Sequence, residues 1–118
     1  MSKYHAVPTV VHGWRFDSKR EAKRYQELLL LGRAGVIRNL ELQPTFPLWG
    51  YRVDEAGISY RCVGTYRADF RYEEHVDRTP STVGWRDVVE DVKGVRTAVY
   101  RLKKRMMDAQ YGIQIRET

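Results

Sequence analysis

The sequence predicts an α/β chain of the α+β type, a mixed and mostly antiparallel sheet flanked by helices. Apolar residues recur at helical spacing in two stretches, near residue 25 and near residue 105. Between them the apolar period is two, and the order reads helix, three or four strands, helix, strand. At 118 residues, 42% hydrophobic and 31% charged, the chain has the composition of one soluble globular domain spanning 1–118.

Residues 1–16 hold Pro8 and Gly13 and read as an arm or irregular strand. Asp17-Ser18-Lys19-Arg20-Glu21 then opens a helix, with Ser18 as N-cap and Glu21 at the third helical position. Ala22, Tyr25, Leu28 and Leu29 supply its apolar arc, and Gly32 with Gly35 is expected to end it. From Val36 the side chains alternate to Leu42, where Pro44 stops the strand. Residues 46–53 and 58–63 form a hairpin across Asp54-Glu55-Ala56-Gly57. Residues 65–72 read as one straight strand, with Tyr66, Ala68, Phe70 and Tyr72 on one face and Thr65, Arg67, Asp69 and Arg71 on the other. Residues 73–84 read as a polar loop around Pro80, and 85–93 as a strand ended by Gly94. Residues 97–110 form the second helix, with Val99, Leu102, Met106 and Ala109 as its apolar stripe. A short strand, 113–116, follows.

Lys plus Arg is 21 and Asp plus Glu is 15, a formal charge of +6 that favours an anionic partner, nucleic acid first among them. The longest aliphatic run, Leu28 to Leu31, is far short of the ~20 residues that span a bilayer, so no membrane partner is expected. Residues 1–16 lack the apolar stretch of a secretory signal, which predicts a cytoplasmic protein. Cys62 is the single cysteine, which excludes a disulfide framework and a cysteine-rich zinc site, and it is expected to pack in an apolar strand. His5, His12 and His75 have no zinc-like spacing.

Three places carry chemistry. In Asp91-Val92-Lys93, strand alternation puts Asp91 and Lys93 on one face, which suits a carboxylate holding a hard cation beside a lysine that orients water. The same tripeptide is the pattern of a surface ion pair at a strand end. Asp69 interrupts a strand where aspartate is disfavoured, and it either meets Asp91 across neighbouring strands or pairs with Arg67 or Arg71. Glu21 falls inside the apolar arc of its helix, close to Leu28. A buried carboxylate there needs a partner, although its spacing from Ser18 also fits a capping box.

Taken together, these residues give a helix Glu, a strand Asp, and Asp-x-Lys on the next strand. The chain thereby resembles the PD-(D/E)xK nuclease superfamily, and within it a small family of phage and prophage proteins. The resemblance covers most of the chain. It includes Lys3-Tyr4-His5-Ala6, Gly13 and Phe16-Asp17-Ser18-Lys19 before Glu21-Ala22, then Leu42-Gln43-Pro44 and Ala68-Asp69-Phe70. It continues through Val89-Glu90-Asp91-Val92-Lys93-Gly94 and Tyr100-Arg101-Leu102-Lys103-Lys104. Ala68 stands where the motif often has proline. Glu90 and Asp91 compete for the second acid, and strand parity with Lys93 favours Asp91.

The resemblance implies an αβββαβ restriction-endonuclease-like core and a metal-dependent endodeoxyribonuclease that hydrolyses phosphodiester bonds. Asp69 and Asp91 would be Mg²⁺ or Mn²⁺ ligands, Glu21 a further ligand, and Lys93 the residue serving the attacking water. With almost nothing beyond such a core, recognition of DNA shape is expected, as at branched or junction DNA in phage recombination or replication in the bacterial host cytoplasm. A homodimer would supply two cuts and a larger DNA surface. The alternative is a nucleic-acid-binding module that keeps the fold without turnover. Phosphate contacts are assigned to Lys103, at the edge of the apolar stripe, and to Arg101, Lys104, Arg67, Arg71 and Lys19. Gln43 is a candidate hydrogen-bonding group near the site. Lys3, Tyr4, His5, His12, Trp14 and Arg15 are candidate stacking and phosphate groups.

Overall fold

The computed structural model describes residues 7–79 and 82–118; the expectations for Lys3, Tyr4, His5 and Pro80 lie outside them. The fold is mixed α+β, with mostly antiparallel sheets flanked by two helices. Strands β1 (Thr9–Val11) and β2 (Trp14–Phe16) form a small hairpin in the segment read as an arm. Its two-residue turn, His12 (φ 51°) and Gly13 (φ 81°), has the paired left-handed geometry that matches strand twist.

Helix α1 (Lys19–Arg33) starts at Ser18, whose hydroxyl accepts the Glu21 N–H at 3.1 Å. Ala22, Tyr25 and Leu28 are buried as their spacing predicts. Gly32 does not end the helix. The cap falls at Ala34, and Gly35 turns the chain at φ 76°.

Strands β3 (Ile37–Leu42), β4 (Thr45–Asp54), β5 (Gly57–Arg67) and β6 (Phe70–Thr79) form one long antiparallel ribbon folded at the middle. Pairing passes without a gap through the bend, since the Gln43 N–H donates to the Asp69 carbonyl (2.9 Å) and the Ala68 N–H to the Pro44 carbonyl (3.0 Å). Gln43 at φ 53° and the N–H-free Pro44 make the kink on one side; Asp69 sits opposite.

This bend corrects two expectations. Residues 65–72 are not one strand, because β5 stops at Arg67 and β6 starts at Phe70. The four aromatic-face residues are also divided. Tyr66 and Ala68 pack with Phe46, Val89, Tyr100, Met107 and Ile115, whereas Phe70 and Tyr72 pack with Phe16, Tyr25, Leu28 and Val88. Leaving strand geometry at Asp69 resets the alternation. Residues 73–84 are likewise no loop, because β6 and β7 (Thr82–Asp91) continue as a hairpin. Their polar side chains are satisfied across strands instead, as in Arg86–Glu74 at 2.7 Å.

The central sheet runs β3-β6-β7-β8, with β8 (Arg116–Glu117) parallel to β7. That parallel pair requires a crossover, which helix α2 (Ala98–Tyr111) supplies. Adjacent Val88 and Val89 belong to different cores, so α1 covers one face of the sheet and α2 the other. Along the sheet the order is therefore helix, three antiparallel strands, helix, parallel strand.

The apolar stripe expected on α2 is not its buried face. Tyr100 and Met107 are buried; Val99, Leu102 and Ala109 are exposed, and Met106 is half-buried. Tyr100 fills that role because its hydroxyl reaches Glu117 at 2.7 Å, so its ring can lie in the core. Cys62, expected in packing, is exposed on the β4–β5 hairpin, where no second layer covers it.

Candidate functional site

Three separate devices bring Asp69, Asp91, Glu21 and Lys93 together. The ribbon bend fixes Asp69, whose N–H donates to the Glu90 carbonyl (3.2 Å) and to Asp91 Oδ1 (2.9 Å). The Asp69 carboxylate accepts the Val92 N–H at 2.7 Å. Of the two alternatives for Asp69, the ion pair with Arg67 or Arg71 does not form. Arg67 stands 3.7 Å from Asp17 and Arg71 2.9 Å from Asp87, because the bend turns Asp69 away from the row those arginines occupy.

Asp91 ends β7 and is fully buried. Its Oδ2 accepts the Tyr66 hydroxyl and lies 3.3 Å from Lys93 Nζ. Lys93 follows the strand, yet its N–H still pairs with the Thr118 carbonyl at 3.1 Å, which keeps it on the Asp91 side as parity predicted. Its ammonium sits 4.1 Å above the Tyr100 ring. Arg20 Nη1 holds the Lys93 carbonyl at 3.3 Å.

Glu90 faces the other way. Its carboxylate takes Arg24 Nε at 2.7 Å, Arg24 Nη2 at 3.0 Å, the Tyr72 hydroxyl at 2.6 Å and the Thr118 hydroxyl at 3.1 Å. That set saturates it and leaves Asp91 as the acid beside Lys93.

Electrostatics tie the acids together. Burial, then the Glu21 and Asp91 carboxylates, pushes Asp69 up to about 8, against the Val92 N–H and Lys93. Burial and Asp17 raise Glu21, while the Asp17 backbone and Asp69 oppose the rise. Asp69 thus stands between the other two acids. Tyr66 is raised by burial and by Asp91, so its hydroxyl remains a donor.

The donor set is hard oxygen, the kind that holds Mg²⁺ or Mn²⁺. Asp69 and Glu21 line a cleft of about 520 Å³ with Lys19, Arg20 and Lys93. Asp91 is more committed. Three donors occupy its roughly four lone-pair sites, leaving one on Oδ1. Among the described residues no group of three or more His, Cys, Asp or Glu side chains is disposed, as it stands, to hold a metal ion. The chemistry of the set nonetheless fits a divalent cation, since crowded carboxylates that favour protonation are those a cation would relieve.

The cations divide into two groups. Lys19 lines the first cleft, while Arg67 and Lys103 line an adjoining hollow of about 340 Å³ with Lys93 and Tyr100. Arg71 is held by Asp87 and by the Phe46 ring at 5.3 Å. Lys104 pairs with Glu117 at 3.3 Å and shares a separate groove with Arg101 and Arg105. The Gln43 side chain reaches the Arg15 carbonyl at 3.4 Å rather than the site; its backbone is what fixes Asp69. His12 packs edge-on against Tyr25. Sequence reading missed Tyr66, Tyr100 and Arg20. A buried tyrosine requires an acceptor, and that was the available signal for the first two.

No curated protein and no solved structure matches the chain. A family model matches it over residues 1–118, and the chain therefore belongs to the family described as Protein of unknown function (DUF1064).

Proposed function

We propose that this protein is a metal-dependent endodeoxyribonuclease acting on branched or junction DNA in phage recombination or replication. The observation that carries the reading is the convergence of Asp69 with Glu21, Asp91 and Lys93 from a bend, a helix and a strand end. Asp69 and Glu21, with the remaining lone pair of Asp91, are the groups that would hold Mg²⁺ or Mn²⁺. When bound, that ion would supply a polarised water and charge stabilisation at the phosphate.

Hydrolysis forms a bond from the water oxygen to phosphorus, breaks one from phosphorus to a sugar oxygen, and returns the water's proton to that oxygen. Lys93 orients the water and offsets the growing negative charge, held on its mark by Asp91 and the Tyr100 ring. Lys19, Arg20, Arg67 and Lys103 flank the cleft and hollow and would meet phosphates, so selection rests on where the DNA backbone runs.

Incubation with supercoiled, linear, single-stranded and four-way-junction DNA, with Mg²⁺, Mn²⁺ or EDTA, tests this. Metal-dependent cleavage with preference for the junction is expected; no cleavage of any substrate rejects the activity. Lys93→Ala should lower turnover by about 10²–10³-fold with DNA affinity largely kept. Unchanged turnover would mean that Lys93 does not serve the reaction. Lys103→Ala is expected to weaken DNA binding and reduce its salt slope by about one, whereas Arg105→Ala, in the separate groove, should leave both unchanged. A binding module without turnover is favoured by one observation, the engagement of both Asp91 oxygens, and binding without cleavage would select it.

A further inference from the structure

The outer part of the β4–β5 hairpin is a two-stranded arm whose residues 51–63 are all exposed. Its cross-strand pairs sort by chemistry. Trp49 with Cys62, Tyr51 with Tyr60, and Val53 with Ile58 make one face without a charge. Gly50 with Arg61 and Arg52 with Ser59 make the other, which carries the arm's two arginines. The separation begins at the irregularity between Leu48 and Trp49. There Val63 crosses to the arginine face, where its side chain closes over Gly50.

The uncharged face is large for something left in water. Trp49, Tyr51, Val53, Ile58 and Tyr60 are between 46% and 73% exposed. Together they present roughly 600 Å², close to the ~800 Å² that each partner gives to a standard stable interface. A two-stranded ribbon is itself marginal in water, and a second apolar layer is what secures it.

We propose that this face is a self-association surface on which two copies stack their arms into a four-stranded sandwich. The inference does not rest on the nuclease reading. Several features favour a second copy as the occupant. The three pairs are centred on Tyr51 and Tyr60, whose rings are 6.4 Å apart, so a two-fold axis at that pair buries the whole ladder against itself. Facing layers in such a sandwich lie ~10 Å apart and interdigitate. The face carries no cation, so two chains of net charge +6 meet there without opposing like charges. Arg61, and Arg52 with Asp54 at 3.6 Å, remain on the outside, where phosphate can reach them. A nucleic-acid strand would call for the reverse arrangement.

Light scattering and sedimentation on the full chain test the proposal. At about 100 µM, where an interface of standard size should be populated, the expected mass is twice 13.9 kDa. Salt should strengthen the dimer, because it screens repulsion between the basic bodies without weakening apolar contact. Tyr51→Arg with Tyr60→Arg is expected to return the mass to 13.9 kDa with an unchanged circular-dichroism spectrum. Should that variant fold poorly, Val53→Glu near the tip serves the same purpose. A wild-type mass of 13.9 kDa at every concentration would overturn the proposal. A dimer that either folded variant leaves intact would overturn the arm as its surface.

Discussion

Asp69→Asn is expected to abolish DNA cleavage while making the metal-free protein more stable. The loss of cleavage should reach about 10³-fold, because the substitution removes the acid at the centre of the carboxylate set. The stability gain follows from linkage. Asp69 has an ordinary value of 3.8 and is pushed up to about 8 in the folded chain, so between those values the folded state holds a proton the unfolded state has released. Stability then falls as pH rises through that window, and the full penalty is present above it. Asparagine carries no charge and can still accept the Val92 N–H. The difference in Tm, variant minus wild type, should be near zero at pH 4 and grow steadily up to pH 8. A variant less stable than wild type at pH 8 would show that the carboxylates are not in conflict. Mg²⁺ or Mn²⁺ at pH 8 should raise the Tm of the wild type and not that of Asp69→Asn, a readout that does not depend on turnover.

Much of this site was legible because each residue announced its own local rule. Ser18 and Glu21 stand at capping spacing, and the hydroxyl does cap the helix. Parity set Asp91 beside Lys93, and the two are 3.3 Å apart. The errors came where tertiary pairing overrides period. An unbroken alternation from Tyr66 to Tyr72 cannot reveal that the ribbon bends at Asp69 and that its inward side chains change cores, since each half obeys period two by itself. The better signal lies across the ribbon, in Gln43-Pro44, where a strand end is expected and a bend is found. On α2, residue type pointed to Val99 and Leu102, but β4 and β7 lie on the side of Tyr100 and Met107. Hydropathy alone does not say which face of a short amphipathic helix the sheet will meet.

Arg24→Ala is expected to be the most destabilising single change in the chain outside its apolar core, by about 3–5 kcal/mol or well over 10 °C in Tm. Glu90 is fully buried, and its four donor contacts include both arms of the Arg24 guanidinium. Removing the arginine leaves a carboxylate with only the Tyr72 and Thr118 hydroxyls for partners. Glu90→Ala should cost less, since Arg24 is partly exposed and still has Glu27 at 3.2 Å. The asymmetry is the diagnostic result; equal losses would mean that burial of the acid is not what governs the pair. Arg24→Met with Glu90→Leu should recover most of the stability, because no charge is then left stranded beside the core. Cleavage is the second axis. Arg24 lies one turn beyond Glu21 on α1, and Glu90 precedes Asp91 on β7. The bridge therefore clamps together the two elements that carry the outer acids. In the double variant the chain folds but that clamp is gone, so kcat should fall while DNA affinity holds. A double variant that cuts as fast as wild type would show that packing alone places Glu21.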